Sequence, residues 1–187
     1  ACSDMKLLVI TQKVDYDDGL LGFFHGWLEK LAARVDHLYV ITNAKGRTIL
    51  PDNVTVVSLG KERDWPRIVK YPLFLWYALR FLPRVQGVFA HMCPEYVKAI
   101  YPLNRFLKRP VVMWYSHIKV SPTATWALDH IVAVMSTSVD SFRHPTDKLI
   151  ETGHGINVDR FALVDPKPTE IMNLLSVGRI SLVKDIN

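Results

Sequence analysis

The chain has 187 residues, 49% of them hydrophobic and 22% charged, which is enough apolar material for a packed core and excludes a disordered or low-complexity chain. Its 23 Lys and Arg against 18 Asp and Glu leave a net charge of +5, scattered without a basic run, which excludes a dedicated nucleic-acid arm or a polybasic anchor. The two cysteines, Cys2 and Cys93, offer neither a disulfide framework nor metal-ligand spacing, and they point to a reducing, cytoplasmic setting.

Residues 1–4 are read as a cloning remnant, with Met5 the natural start. The apolar run after Lys6 is too short for a signal peptide. The longest apolar stretch, 71–82 (YPLFLWYALRFL), carries Arg80 and falls well short of the roughly 20 residues a bilayer span needs, so no transmembrane helix is expected.

Short β-branched runs alternate with longer helical stretches. KLLVIT (6–11) is a continuous apolar run, the signature of a buried parallel strand. A loop with glycines and aspartates follows over 13–22, then a helix over 20–33 with Leu21, Phe24, Leu28 and Leu31 at helical spacing. Further strands are expected at 37–42, 54–59, 87–92, 110–116, 130–135 and 148–153. Helices are expected at 66–82, where Pro72 predicts a kink or break, at 94–107, and at 138–143, where Pro145 supplies the stop. Strands joined by helices imply right-handed crossovers, hence an α/β, Rossmann-like parallel sheet of about seven strands with helices on both faces. Residues 5–161 form that domain and the Pro-punctuated 162–172 reads as a linker. The run 173–187 then reads as the first strand and turn of a second domain.

Parallel α/β sheets bind ligands where their strands end, at the point where strand order reverses. After the first strand come Asp17, Asp18, Gly19 and Gly22, a loop leading into a helix. It lacks the G-x-G-x-x-G dinucleotide fingerprint, which disfavours a dehydrogenase, and a plain turn remains open beside a ligand loop. His91 ends the fourth strand, where it is a structural or a pocket residue, and His91-x-Cys93 falls short of a metal site. Ser116 and His117 follow the fifth strand, His154 and Gly155 the seventh. Gly178, Arg179 and Lys184 put a glycine and two cations at the end of the next strand, an arrangement suited to a diphosphate or, alternatively, a solvated turn. The segment 65–84, apolar nearly all round with cations at Arg67, Lys70, Arg80 and Arg84, is either a buried helix or an interfacial helix on a membrane surface.

HGINVDRF (154–161) followed across a short Pro-containing connector by NLLSVGRISLVKD (173–185), behind a strand-tip loop and a histidine after the fifth strand, resembles the amino-terminal half of the group 1 (family 4) glycosyltransferases of GT-B architecture. The resemblance implies transfer of a sugar from a nucleotide-sugar donor to a glycan, lipid or small-molecule acceptor, with retention and without cofactor or metal. It implies that the amino-terminal domain holds mainly the acceptor. It implies that Gly178, Arg179 and Lys184 face the donor diphosphate, that His117 acts catalytically beside the donor sugar, and that the 15–22 loop meets donor phosphates and acceptor. The loop departs from the family in reading Asp-Asp-Gly-Leu-Leu-Gly without adjacent glycines, so Asp17 or Asp18 is expected to hold acceptor hydroxyls. The family's E-x7-E lies beyond the residues present, so this chain alone is expected to be nearly inactive. A nucleotide-sugar epimerase and a non-catalytic Rossmann-like binding module, docking through 65–84 on a membrane or partner, are the competing readings.

Overall fold

The computed structural model describes residues 5–155. The chain divides into two compact units, Ala1–Ile156 and Asn157–Asn187, and the account below concerns the first. The expected linker and the expected second-domain strand lie outside the described residues.

Seven strands and four α-helices follow one another as β1 (Lys6–Val14), α1 (Gly22–Ala32), β2 (His37–Lys45), β3 (Val54–Ser58), α2 (Arg67–Phe81), β4 (Gly87–His91), α3 (Pro94–Leu107), β5 (Val111–Trp114), α4 (Pro122–Leu128), β6 (Ala133–Ser136) and β7 (Leu149–Glu151). All strands are parallel, in the order β3-β2-β1-β4-β5-β6-β7. This is the α/β Rossmann-like sheet expected from the sequence. The order reverses between β1 and β4, which places the switch point just past the last β1–β4 pair, Ile10 with Ala90.

The apolar runs are buried on both faces because helices cover both. Leu8, Ile10, Ala90, Met113 and Val134 pack against Phe74, Ala78 and Phe81 of α2, Val97 and Ile100 of α3, and Ala124 and Ala127 of α4. On the other face Val9, Leu38 and Val40 meet Phe24, Leu28 and Ala32 of α1. The β2–β3 crossover on that side contains no helix. It stays docked because Ile49 N–H donates to His25 Nε2 (2.9 Å) and the Asn53 amide donates to Ala32 O (2.8 Å) and Val35 O (3.1 Å).

Four local expectations are corrected. β1 and β2 each run three residues further than their apolar cores, through Gln12–Lys13–Val14 and Asn43–Ala44–Lys45. α4 was not expected; Ser121 caps it, its Oγ accepting from Ala124 N, with Pro122 at the first helical position. The helix expected at 138–143 is a single 3-10 turn, Val139–Ser141. Pro72 does not break α2, because it lies on the exposed side with Ile68, so the carbonyl it leaves without a donor is on the wet face of the helix.

Candidate functional site

The loop after β1 is held shut by its own charges. Lys13, on the longer-than-expected β1 tip, pairs with Asp15 (3.0 Å) and Asp18 (2.5 Å). Asp18 also accepts from Leu20 N (2.9 Å) and Leu21 N (2.6 Å), so it builds the turn that launches α1. The Lys13 ammonium and those two N–H groups hold its carboxyl down at about 2. Tyr16 N donates to Arg47 O (2.8 Å) and Gly46 N to Val14 O (2.9 Å), clasping the β1 and β2 tips together. Asp17 stays exposed, 3.5 Å from the Arg47 guanidinium. Gly19 sits in open space, while at Gly22 an added Cβ would come 3.2 Å from Tyr16 O. The loop and its partner thus present three carboxylates, Asp15, Asp17 and Asp18, against two cations, Lys13 and Arg47. That balance favours hydroxyl ligands over a phosphate.

His91, His154 and Gly155 are brought together on the α1 face. His91 is 1% exposed; its Nδ1 shares a 3.0 Å hydrogen bond with Thr11 Oγ1 across the switch point, and its ring stacks on Phe24 with centroids 4.0 Å apart. Burial, and secondarily the His154 charge, lower its pKa to about 3, so the imidazole is neutral. Its Nε2 and the Trp114 Nε1 are buried without partners. Phe23, Trp27 and Trp114 close around His154 with ring centroids 5.1, 6.1 and 5.9 Å away, and Trp27 Nε1 donates to Gly155 O (3.1 Å). Beside this cluster a groove of about 520 Å³ is lined by Leu7, Trp27, Phe89, Val112, Trp114 and Met135.

Ser116 and His117 stand apart at the β5 tip. Ser116 Oγ bonds Thr137 Oγ1 (2.9 Å) on the neighbouring strand end, and Ser116 N donates to Met92 Sδ (3.4 Å). His117 is exposed; its Nδ1 engages the backbone of Lys119, N at 3.1 Å and O at 3.0 Å. Met92 takes a positive φ of 55°, an unfavourable conformation for a side-chain-bearing residue, and this turn breaks the strand alternation. His91 and Cys93 therefore part company. His91 packs with α1, whereas Cys93 is a buried free thiol in the opposite core whose pKa burial pushes well up. Among the described residues no three His, Cys, Asp or Glu side chains gather to hold a metal ion.

Sequence reasoning missed the polar chain on the other face of the switch point. Tyr96 of α3 donates to Asn43 Oδ1, Asn43 Nδ2 donates to Gln12 Oε1 (3.0 Å), and Gln12 Nε2 reaches Met92 O (3.5 Å). Burial first, then the Cys93 charge, raise the Tyr96 hydroxyl to about 12, so it stays a donor. The available signal was the position of Gln12 and Asn43 directly after two adjacent apolar strand cores. Gly178, Arg179 and Lys184 lie outside the described residues.

No family model and no curated protein matches this chain. Its structure is similar to that of MurG from Acinetobacter baumannii, a GT-B glycosyltransferase, with a TM-score of 0.54 and 12% identity over 88% of this chain and 50% of that one. The chain therefore spans about half the length of that protein. At this identity the likeness is one of fold. The parallel sheet with its reversal at β1/β4 is the architecture of the first domain of a GT-B structure.

Proposed function

We propose that this chain is the acceptor-side half of a retaining, group 1 (family 4) glycosyltransferase that moves a sugar from a nucleotide-sugar donor to a hydroxyl acceptor. The observation that carries the glycosyltransferase part of this reading is the seven-stranded parallel sheet in the order 3-2-1-4-5-6-7, superposing over most of the chain on half of a GT-B glycosyltransferase; group 1 (family 4) and retention rest on sequence motifs. The motifs HGINVDRF and NLLSVGRISLVKD support it from the sequence. In the transfer, the bond from the sugar's anomeric carbon to the diphosphate oxygen breaks, a bond to the acceptor oxygen forms, and the acceptor's hydroxyl proton passes to the departing diphosphate oxygen. Arg179 and Lys184 stabilise the negative charge that grows on the leaving diphosphate, with Gly178 allowing close approach. His117, exposed at a strand tip, stands beside the donor sugar. The loop at Asp17 and Asp18, with its excess of carboxylates, receives acceptor hydroxyls.

The test compares this chain with a version extended through a second domain, by calorimetric titration of UDP- and GDP-sugars and by donor hydrolysis. Binding and hydrolysis in the extended protein alone, both lost in Arg179→Ala and Lys184→Ala, support the proposal. An extended protein that binds no nucleotide-sugar refutes it.

A further inference from the structure

At the β3 edge of the sheet a second cavity, of about 540 Å³, opens between the tips of β2 and β3, the 3-10 turn Lys61–Arg63 and α2. Trp65 and Tyr77 give it an aromatic lining, and Lys45, Ser58, Glu62 and Arg63 a polar one. The loop after β3 builds this pocket rigidly. Gly60 takes φ of +81°, which doubles the chain back so that Arg63 N and Trp65 N both donate to Gly60 O, each at 3.1 Å. The Trp65 ring thereby lies on Gly60, with no Cβ in the way. Ser58 Oγ accepts from Gly60 N (3.0 Å) and donates to Glu62 Oε2 (2.7 Å), which also accepts from Lys45 N (3.3 Å). The carboxylate is thus fixed between the two strand tips.

Charge and shape together identify the ligand. Arg63 lies against Trp65, its guanidinium 5.5 Å from the ring centroid, and the Lys45 ammonium reaches Val56 O at 3.5 Å. Among the described residues neither cation has a carboxylate within ion-pair distance. Two cations against one carboxylate leave the pocket net positive, which selects an anion. A bare anion would leave the aromatic lining unused. An acidic sugar uses all of it: the C–H face of its ring packs on Trp65, its hydroxyls meet Glu62, and its carboxylate or phosphate meets Arg63 and Lys45. The pocket also adjoins the acidic loop after β1. Lys45 and Gly46 line it, and the next residue, Arg47, stands 3.5 Å from Asp17. We propose that this pocket binds an acidic sugar ring, as the part of the acceptor remote from the reacting hydroxyl. That the ring belongs to a transfer acceptor rests on the function proposed above; its binding here does not.

Ligand-detected saturation-transfer NMR on the full chain tests this, with D-glucuronate, glucose 6-phosphate, D-glucose, acetate and inorganic phosphate as probes. Saturable binding of one or both acidic sugars is expected, with transfer strongest to their ring C–H protons, and the stronger of the two tells carboxylate from phosphate. D-Glucose, acetate and inorganic phosphate should bind about tenfold more weakly. Arg63→Gln should weaken the acidic sugar about tenfold through loss of a charged hydrogen bond. Trp65→Ala should abolish transfer to the ring protons, and Arg34→Gln, an equal charge change at an exposed position lining the other groove, should alter nothing. Lys45 and Arg63 are exposed, so Lys45→Gln and Arg63→Gln keep the test decisive if Trp65→Ala does not fold. No binding of either acidic sugar, equal binding of D-glucose, equal binding of acetate or inorganic phosphate, or undiminished binding by the Lys45→Gln/Arg63→Gln variant overturns the proposal. These titrations do not involve a second domain, so their failure leaves the transferase reading standing. An extended protein that binds no nucleotide-sugar refutes that reading and leaves the pocket's affinity for an acidic sugar intact.

Discussion

Acidification tests the assignment of His91 as a buried neutral imidazole. Its folded pKa is about 3 against an ordinary 6.5, and desolvation is the main cause. The sign follows from proton uptake: below pH 6.5 the unfolded chain binds a proton at this ring that the folded chain does not, so stability is complete above pH 6.5 and declines as the pH falls toward 3. At 1.36 kcal/mol per pH unit, moving from pH 7.5 to pH 5 removes about 2 kcal/mol through this residue alone. With a urea dependence of about 2 kcal/mol/M, the unfolding midpoint drops by about 1 M. His37, whose pKa burial and Lys6 also lower, adds to the loss in the same direction, so the His91 share must be isolated by substitution.

Thr11→Val combined with His91→Phe replaces both members of the buried hydrogen bond by apolar groups of similar shape, keeps the stack on Phe24, and removes the orphaned Nε2. Its stability at pH 7.5 should lie close to that of the parent, and its urea midpoint should fall about 1 M less on going to pH 5. Thr11→Val alone leaves both ring nitrogens unpaired and should cost about 1–3 kcal/mol at pH 7.5. Urea titrations followed by circular dichroism at the two pH values measure all of this. Midpoints that fall in parallel for the parent and the double variant would refute the assignment, because the acid sensitivity would then arise elsewhere.

Two further substitutions test the loops. At Gly60 the backbone has φ of +81° and an added Cβ would lie 2.4 Å from the Trp65 ring, so Gly60→Ala should destabilise the fold by about 2–3 kcal/mol in a thermal melt. An unchanged midpoint would count against tight seating of that ring. Lys13→Ala removes the ammonium that is the largest cause of the depressed Asp18 pKa, so the Asp18 titration should move up from about 2, measured by carboxyl NMR. Because a depressed carboxylate pKa stabilises above the ordinary 3.8 and is lost as pH falls through about 2, the variant should also lose its resistance to acid at a higher pH.

Most of the sheet was legible because its central strands, β1, β2, β4 and β5, are largely buried on both faces. KLLVIT and HLYVIT are apolar without alternation, the pattern of strands in a parallel sheet covered by helices on both faces. α4 was illegible by periodicity, since seven residues make fewer than two turns; only the Ser121-Pro122 pair announces it. The same shortness turned 138–143 from an expected helix into one 3-10 turn, with Phe142 drawn into the core and Pro145 close behind. Segment 65–84 left burial and exposure open, because a pattern that is apolar nearly all round does not by itself say which side faces the sheet. Packing of Phe74, Ala78 and Phe81 on the sheet decides which side faces out.

The candidate site was only half legible, for a reason that follows from strand geometry. Reading apolar runs stops a strand where the apolar residues stop, so Gln12, Lys13 and Asn43 fell into loops. In the structure they are still paired in register, Lys13 opposite Ala44, and it is this regular backbone that fixes their side chains. Lys13 is thereby aimed at Asp15 and Asp18, and Gln12 and Asn43 at each other and at Tyr96. Residues on ordered strand ends hold their positions better than residues on loops, which is what orienting a ligand at a switch point requires. His117 is exposed and held by its own turn with Lys119 and by a tilted ring contact with Tyr115 (centroids 6.4 Å apart), so the donor-side role proposed for it rests on a less ordered position. The rigid part of the crevice is therefore the β1–β2–β4 side, and under the proposed function substitutions at Gln12, Asn43 and Tyr96 are expected to change the acceptor KM of the extended protein more than substitutions at Ser116 or His117.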